Sequence, residues 1–386
     1  MINLLYFIPG LQNAGGIERV LTQKVNSLIE KGGYDITIIT TDMSDEEQPF
    51  FILNSRVKVI NFKLFFNQLF NLGFFEKVFN TKKYLSKYKY LTLKFIKENN
   101  IDICISMGGK ELEFLYQIDH PCKKVYEAHF SKGIRTRTLL NNKGNSIIWR
   151  SIAKFREFQI VLQTKKLDKV VVLTEKSAHD WRCTNNNVIV IANPSSFDPQ
   201  IQYPDYDSKI VTAVGRLEYE KGFDLLIQAW CLVKIKYPEW KLYIYGAGGQ
   251  QNILEKMILN SGLEFDVFLK GVTQNVSAEF LKSSFLVLSS RYEGMPMVML
   301  ESMACGLPMV AFDCETGPSE LIESSDCGIL VKNGSINDLA CKIIEMIENK
   351  DERIRMSKNA KMKSYNYTID KIVVQWDRLF LELSNI

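Results

Sequence analysis

The sequence has no long apolar run, and its cysteines are not paired. No stretch of its 386 residues reaches the roughly 18 apolar residues that a membrane-spanning helix needs. The eight cysteines include no C-x-x-C pair, which is typical of buried or surface thiols in a reducing cytoplasm. Residues 1–10 carry no basic leader and are interrupted by Pro9, which favours a first core strand over a signal peptide. These absences predict a cytoplasmic protein.

The dinucleotide fingerprint G-x-G-x-x-G is also missing. Gly15 and Gly16 follow the first predicted strand, and Asp42 at the end of the second would suit a ribose. A second glycine turn, residues 246–249, precedes a strand that ends in Lys270 and Gly271 and not in an acid. An NAD site is therefore the weaker interpretation of both turns.

Length and composition indicate two globular domains. A chain of 386 residues suits two domains of about 150–200 residues each. A hydrophobic content of 46% and a charged content of 24% are those of a soluble protein. The net charge of +4 is too small to indicate a partner, so the distribution of charge is more informative.

Residues 289–301 are the stretch around which the chain is organised. An apolar run, residues 285–288, predicts a buried strand, and Glu293 and Gly294 predict a turn after it. Pro296 favours the start of a helix, whose free N–H groups form a ready anion site. Glu301 lies about one turn into that helix. The alternative is an ordinary strand–helix unit with a surface glutamate.

A second candidate site follows the predicted strand at 209–214. The residues after it read G-R-L-x-x-E-K-G, from Gly215 to Gly222. Arg216 offers a planar fork of donors and Lys221 a point charge, which together can neutralise a diphosphate. The alternative is that both cations are simply solvated.

The spacing of Glu293 and Glu301, E-x7-E in the frame E-G-x-P-x-x-x-x-E, resembles the signature of glycosyltransferase family 4. The likeness continues through residues 304–311, 317–322 and 328–331, and is looser over residues 1–200. These are retaining, nucleotide-sugar-dependent enzymes, here of the bacterial surface-polysaccharide type. The resemblance implies the α/β GT-B fold, in which two doubly wound Rossmann-like domains face a cleft.

The resemblance also implies roles for individual residues. Catalytic roles fall on Glu293, His129, Arg216 and Lys221, with His129 beside the transferred sugar. The base is expected near Val272 and the ribose on Glu301, with Glu293 on the sugar hydroxyls. The remaining donor contacts are expected to involve Gly16, Arg216, Lys221, Gly294, Met295, Pro296, Met297 and Val298.

The predicted organisation is an acceptor-binding domain at 1–195, a linker at 196–208 and a nucleotide-sugar domain at 209–365. A final helix at 366–386 is expected to cross back to the first domain. Asp205 and Asp207 form a D-x-D pair, the metal motif of another glycosyltransferase fold, but they follow a proline and precede a strand. We interpret them as linker and expect no metal and no other cofactor.

Basic and aromatic residues alternate in residues 63–97, and a second basic run occupies residues 132–156. Such a mixture suits an anionic membrane surface. Nucleic acid is a less favoured partner, because no nucleic-acid motif occurs elsewhere. The remaining alternative is a helical hairpin with its aromatic residues inward and its lysines solvated.

The sequence therefore predicts a retaining, metal-independent transferase, peripheral on the inner face of the cytoplasmic membrane. It would move a hexosyl or N-acetylhexosaminyl group from a UDP-sugar to a hydroxyl of a lipid-linked or growing surface glycan. The alternatives are a GDP-mannose-dependent enzyme of the same fold and an inactive nucleotide- or partner-binding module.

Overall fold

The computed structural model describes residues 1–44, 46–144, 146–323 and 326–384. Within these ranges, the side chains of some residues lie outside the description: Phe70, Asn71, Phe74, Arg135, Thr138, Asn141, Asn142 and Lys143. The chain divides into two units. The first consists of Met1–Ala192 together with Ile372–Ile386, and the second of Asn193–Lys371.

The first unit contains a parallel sheet of seven strands in the order β3-β2-β1-β4-β5-β6-β7. Its central strands are almost continuously apolar, as parallel strands covered on both faces require. The strands are β1 Ile2–Phe7, β2 Tyr34–Thr40, β3 Lys58–Asn61, β4 Ile103–Ser106, β5 Lys123–Ala128, β6 Lys169–Val172 and β7 Val188–Val190.

Helices of the first unit connect these strands. They are α1 Gly16–Lys31, α2 Phe74–Glu98, α3 Ile134–Lys143, α4 Ile147–Thr164 and α5 Glu175–Arg182. The basic-aromatic segment forms a short 3-10 helix, Phe66–Asn71, followed by the single helix α2, and not a helical hairpin. Tyr88 and Phe66 pack into the core, so part of that segment's aromatic content is structural.

The second unit repeats the plan with six parallel strands in the order β10-β9-β8-β11-β12-β13. The strands are β8 Ile210–Val214, β9 Lys241–Tyr245, β10 Val267–Gly271, β11 Phe285–Leu288, β12 Met309–Asp313 and β13 Gly328–Lys332. Its helices are α6 Phe223–Lys236, α7 Gln251–Asn260, α8 Val276–Leu281, α9 Met297–Cys305, α10 Pro318–Glu323, α11 Ile336–Glu348 and α12 Lys350–Ser364. Trp230 of α6 lies fully buried in the core between helix and sheet.

The C-terminal region begins with a 3-10 turn at Tyr365–Tyr367 and continues as helix α13, Ile369–Ser384. From Ile372 onward it groups with the first unit. Trp376 and Phe380 of α13 are buried there, and Phe380 packs edge-on against Tyr34 of β2.

Each sheet has a point at which the strand order reverses. The reversal lies between β1 and β4 in the first unit and between β8 and β11 in the second. In open parallel sheets, ligands bind beyond the carboxyl ends of the strands at such a point. The loops that follow β8 and β11 are therefore the place to look for a site in the second unit.

Residues 196–208 contain no helix or strand and are hydrogen-bonded along the second unit. The amide of Gln200 donates to the carbonyl of Ala304, and that of Asp205 to Leu281. Lys361 Nζ donates to the carbonyls of Ile201 and Gln202, at 2.9 Å each.

Candidate active site

Lys221 and Glu293 meet at the switch point of the second sheet. Lys221 ends the loop after β8, and Glu293 lies in the loop after β11. Lys221 Nζ is 2.6 Å from Glu293 Oε1, and both side chains are mostly buried. Sequence reasoning had assigned them to different parts of a donor, and the structure brings them into direct contact.

Two hydroxyl groups that the sequence did not single out hold Glu293. Ser290 Oγ donates to Glu293 Oε1 at 2.7 Å, and Thr316 Oγ1 donates to the carbonyl of Glu293 at 2.6 Å. Ser290 lies in the stretch 289–301, and Thr316 directly precedes the likeness at 317–322, but neither position indicated a contact with Glu293. The carboxylate is thus fixed by a lysine and a serine on one oxygen.

Gly222 allows the two loops to approach each other. Its φ of +64° is in the left-handed region, and a Cβ there would overlap the carbonyl oxygen of Ser289. Ser289 Oγ in turn donates to the carbonyl of Lys221 at 2.9 Å. This close backbone contact places Lys221 against the loop of Glu293.

Arg291 braces the same pair of loops. Its guanidinium makes a bidentate ion pair with Asp224, with N–O distances of 2.8 and 2.7 Å. Its Nη1 also donates to the carbonyl of Tyr219, and its charge lies 4.0 Å from the centre of that ring. Asp224 and Arg291 are 67 residues apart and carry no motif, so sequence reasoning missed them.

Arg216 lies differently from Lys221. Its side chain is 71% exposed and pairs with Glu220 at 2.7 Å. Exposed ion pairs of this kind contribute little to stability, so the guanidinium can leave Glu220 for a stronger anionic partner. Lys221 is held in place, whereas Arg216 is available at the surface.

Helix α9 starts beside this loop with Pro296 as its N-cap residue and no side-chain cap. The first N–H groups of the helix, at Met297 and Val298, are free of intrahelical partners and favour an anion at this helix start. Gly317, with a φ of +96°, packs against Pro296 and the carbonyl of Gly294. Met295 is buried next to these residues.

Glu301 is buried in the middle of α9 and accepts a hydrogen bond from Ser196 Oγ. Val272 is 74% exposed and directly follows the edge strand β10. Val272 and Arg216 both follow the carboxyl ends of their strands. They are not neighbours, because β10 lies two strands away from β8.

Cys314 is a buried thiol close to Glu293. Burial, with the carboxylate of Glu293 nearby, raises the pKa of Cys314 to about 12. A thiol with that pKa stays neutral near pH 7 and is a poor nucleophile.

In the first unit, His129 directly follows β5 and is buried. Its Nε2 is 3.2 Å from Glu127 Oε1, although the two groups are not aligned as a hydrogen bond. Burial alone would raise the pKa of Glu127, but the adjacent Lys24 and His129 lower it to about 2. Gly16 starts helix α1, and the carboxylate of Glu18 lies over the neighbouring Gly15.

Comparison with known proteins identifies the family. A model of the family described as glycosyl transferases group 1 matches residues 196–363. A Haemophilus influenzae protein described as an uncharacterized glycosyltransferase is 30% identical over 375 residues, which cover 96% of this chain and 98% of that protein. The chain belongs to the group 1 glycosyltransferases.

Two further relationships accompany this assignment. A Campylobacter jejuni protein, 25% identical over 98% of each chain, is named GalNAc-α-(1→4)-GalNAc-α-(1→3)-diNAcBac-PP-undecaprenol α-1,4-N-acetyl-D-galactosaminyltransferase. A Staphylococcus aureus TarM mutant, crystallised with fondaparinux, α-GlcNAc-glycerol and UDP, superposes with a TM-score of 0.78 at 20% identity, covering 98% of this chain and 100% of that one. The predicted GT-B fold of this glycosyltransferase is confirmed.

The D-x-D pair of the glycosyltransferase lies on the segment at 196–208. Asp207 pairs with Lys350, and its amide donates to Asp205 Oδ1 at 3.0 Å. Within the described ranges, no group of three or more His, Cys, Asp or Glu side chains is arranged to hold a metal ion. No helix within them combines the length and apolarity that crossing a bilayer requires.

Proposed function

We propose that this protein is a retaining enzyme of glycosyltransferase family 4 that uses a UDP-sugar and needs no metal ion. The observation that carries the proposal is the contact between Lys221 and Glu293 at the switch point of the second sheet. A cation beside a hydrogen-bonding carboxylate supports the proposal, because it suits the point at which the phosphate and the sugar of a donor would meet.

The donor would lie along the carboxyl edge of the second sheet. The uncapped start of α9 and the cations Arg216 and Lys221 would bind the diphosphate. Glu301 would exchange Ser196 for the ribose hydroxyls, and the backbone near Val272 would hold the base. Glu293 would accept hydrogen bonds from the sugar, and Gly294, Met295, Pro296 and Val298 would shape the surface around it. In the first unit, the backbone at Gly16 would approach the donor phosphate or the acceptor.

In the proposed reaction the bond from the anomeric carbon to the diphosphate breaks, and the acceptor oxygen bonds to that carbon on the same face. The acceptor proton passes to an oxygen of the leaving phosphate. Lys221 and Arg216 stabilise the negative charge that grows on that phosphate, which lowers the barrier without a metal. His129 would accept a hydrogen bond from the transferred sugar or donate one to it.

The proposed acceptor is a lipid-linked or growing surface glycan, and the transferred group a hexosyl or N-acetylhexosaminyl unit. Support comes from the Campylobacter jejuni relative, whose name gives a diphosphoundecaprenol glycan as acceptor. The TarM mutant, which was crystallised with UDP, supports the choice of donor nucleotide.

An anionic membrane surface is the proposed docking partner of the first unit. Phe75 and Phe79 of α2 are 86% and 71% exposed, among lysines of the same helix. Helix α4 exposes Ile147, Ile148, Phe155 and Phe158 beside Arg150, Lys154 and Arg156. Of the predicted basic and aromatic residues, the side chains of Phe70, Phe74, Arg135 and Lys143 lie outside the description. Such docking would place the protein on the inner face of the cytoplasmic membrane.

A donor screen with product analysis tests the proposal. Purified protein is incubated with UDP-glucose, UDP-galactose, their N-acetyl derivatives or GDP-mannose, and with synthetic undecaprenyl-diphosphate glycans, with and without EDTA. We expect turnover with a UDP-sugar, undiminished by EDTA, and a product whose anomeric proton coupling shows the donor's configuration. Inversion, or loss of activity in EDTA that added metal restores, would contradict the mechanism. Turnover only with GDP-mannose would overturn the choice of donor, and nucleotide binding without turnover would favour an inactive module.

A further inference from the structure

A buried ion pair lies behind His129 in the first unit. Lys24 of α1 and Glu127 of β5 are each 1% exposed, and Lys24 Nζ pairs with Glu127 Oε2. The other oxygen of the same carboxylate is 3.2 Å from His129 Nε2. One carboxylate therefore pairs with an ammonium through one oxygen, while its other oxygen lies close to an imidazole nitrogen without the alignment of a hydrogen bond.

Aromatic rings enclose the ammonium of Lys24. Its Nζ lies 5.1 Å from the ring centre of Tyr6 in β1 and 4.0 Å from that of Trp376 in α13. Cation–π contacts of this kind attract a desolvated cation. These contacts hold the lysine in addition to its pairing with Glu127, so the position of the carboxylate depends on α1, β1 and α13.

Stability alone does not explain such a pair. Removing two charges from water costs several kcal/mol per ion, and well-packed apolar residues often serve as well or better. An ion pair kept at this depth, one side chain away from a strand-end histidine, suggests a role in arranging that histidine.

The ionised carboxylate restricts what His129 can present to it. Because the pKa of Glu127 is lowered to about 2, the group carries no proton near neutral pH. Its oxygens can then only accept hydrogen bonds, so the nitrogen that faces them is favoured in its protonated form. In a neutral imidazole this leaves Nδ1 as the acceptor.

We propose that Lys24 and Glu127 are positioning residues for His129: Lys24 anchors Glu127, which orients the ring and selects the tautomer protonated on Nε2. The Nδ1 lone pair is then presented to a donor group such as a sugar hydroxyl. Trp376 connects α13 to this arrangement through Lys24. The part of the proposal that concerns substrate rests on the proposed function, whereas the tautomer does not.

Nitrogen NMR of histidine tests the tautomer directly. The chain has only three histidines, His120, His129 and His179, so ¹⁵N-histidine labelling gives a small set of signals, and His129→Gln assigns the relevant one. Above neutral pH, we expect the wild-type His129 signals to show protonation on Nε2. Glu127→Gln and Lys24→Met should move them toward a mixture of tautomers, while His120 and His179 stay unchanged.

Lys58→Met is the matched control, because Lys58 forms an exposed pair with Asp35 in the same unit. It should leave all three histidine signals as they are. A wild-type His129 protonated on Nδ1, or an unchanged tautomer in folded Glu127→Gln, would overturn the proposal. If both pair variants fail to fold, the wild-type spectrum still decides, because the two tautomers differ in their nitrogen shifts.

Kinetics separates this inference from the proposed function. In an active enzyme, Glu127→Gln should lower kcat by about 10- to 100-fold, by analogy with the carboxylates that orient metal-bound histidines, with a smaller change in KM. Nε2 protonation without any transferase activity would support the positioning role of Lys24 and Glu127 but count against the proposed function. Full activity of folded Glu127→Gln would contradict the role in the reaction.

Discussion

At the residue scale, the proposed donor site depends on which side chains are in contact. The residue types of the proposed donor site were predicted from the E-x7-E spacing and the G-R-L-x-x-E-K-G frame. The sequence could not predict that Lys221 and Glu293 would be joined at 2.6 Å, because that distance depends on how two loops 72 residues apart approach each other. Arg291 and Asp224 were missed for the same reason.

Replacing Lys221 by alanine tests its assignment as an electrostatic catalyst. We expect the barrier to rise by about 2–4 kcal/mol, by analogy with the removal of one oxyanion donor. The loss should appear mainly in kcat, since the charge on the leaving phosphate grows as the bond breaks. Lys342→Ala, at an exposed pair on α11, is the control. Steady-state activity within twofold of wild type would refute the assignment of Lys221.

The pH dependence of stability tests the state of Glu127. Its pKa in the fold, about 2, is below the ordinary value of 4.5, so it contributes stability above about pH 4.5 that is lost as the pH falls toward 2. Glu127→Gln should therefore be clearly less stable than wild type at pH 7 because it leaves Lys24 unpaired. The difference should shrink on acidification. Urea unfolding monitored by tryptophan fluorescence measures it, and a difference that stays constant from pH 6 to pH 3 would contradict the ionised pair.

At the scale of elements, apolar runs and glycine turns located most of the structure. The strands expected at 285–288 and 209–214 form β11 and β8, and the helix expected after Pro296 forms α9. The region around α2 differs from the helical hairpin considered as an alternative, since it forms one long helix. Its periodic apolar positions indicate helix but do not show whether the helix is interrupted by a turn. The final helix was expected from residue 366 and starts at Ile369. The sequence pattern did not distinguish the preceding 3-10 turn, Tyr365–Tyr367, from the first turn of that helix.

Gly222→Ala tests the contact between the loops after β8 and β11. A left-handed alanine costs about 1–2 kcal/mol, and here its Cβ would also collide with the carbonyl of Ser289. Gly262→Ala is a matched control, because Gly262 has nearly the same φ, +62°, with open space around it. Thermal unfolding should show a larger loss for Gly222→Ala, together with weaker nucleotide binding. Equal losses in the two variants would mean that the close approach does not matter.

At the scale of the whole molecule, the chain is two parallel α/β units, and the second carries the more recognisable chemistry. The family model covers residues 196–363, where the sequence likeness was also most specific. The first unit was harder to interpret because its distinctive features are surface composition and buried pairing. Neither of these leaves a fixed spacing in the sequence.

Liposome flotation tests the membrane partner. Phe75→Ser together with Phe79→Ser should reduce binding to anionic vesicles by at least about tenfold, since burying one phenylalanine contributes about 1.5–3 kcal/mol. Binding of the wild type should also weaken in high salt. Phe265→Ser is the control, because Phe265 is similarly exposed but lies in the second unit. Undiminished binding of the double variant, together with wild-type binding that does not weaken in high salt, would exclude this surface.

The central claim is that Lys221 and its neighbours in the second unit bind the diphosphate of a uridine nucleotide. The most direct measurement is thermal unfolding of wild type, Lys221→Ala and Lys342→Ala with UDP, GDP or uridine, in EDTA. A ligand at about 100 times its dissociation constant stabilises by about 2.7 kcal/mol, which is a shift of a few degrees. We expect a shift with UDP for wild type and Lys342→Ala, a much smaller one for Lys221→Ala and for uridine, and little with GDP. An equal shift with UDP in all three proteins, or none in any, would contradict the central claim.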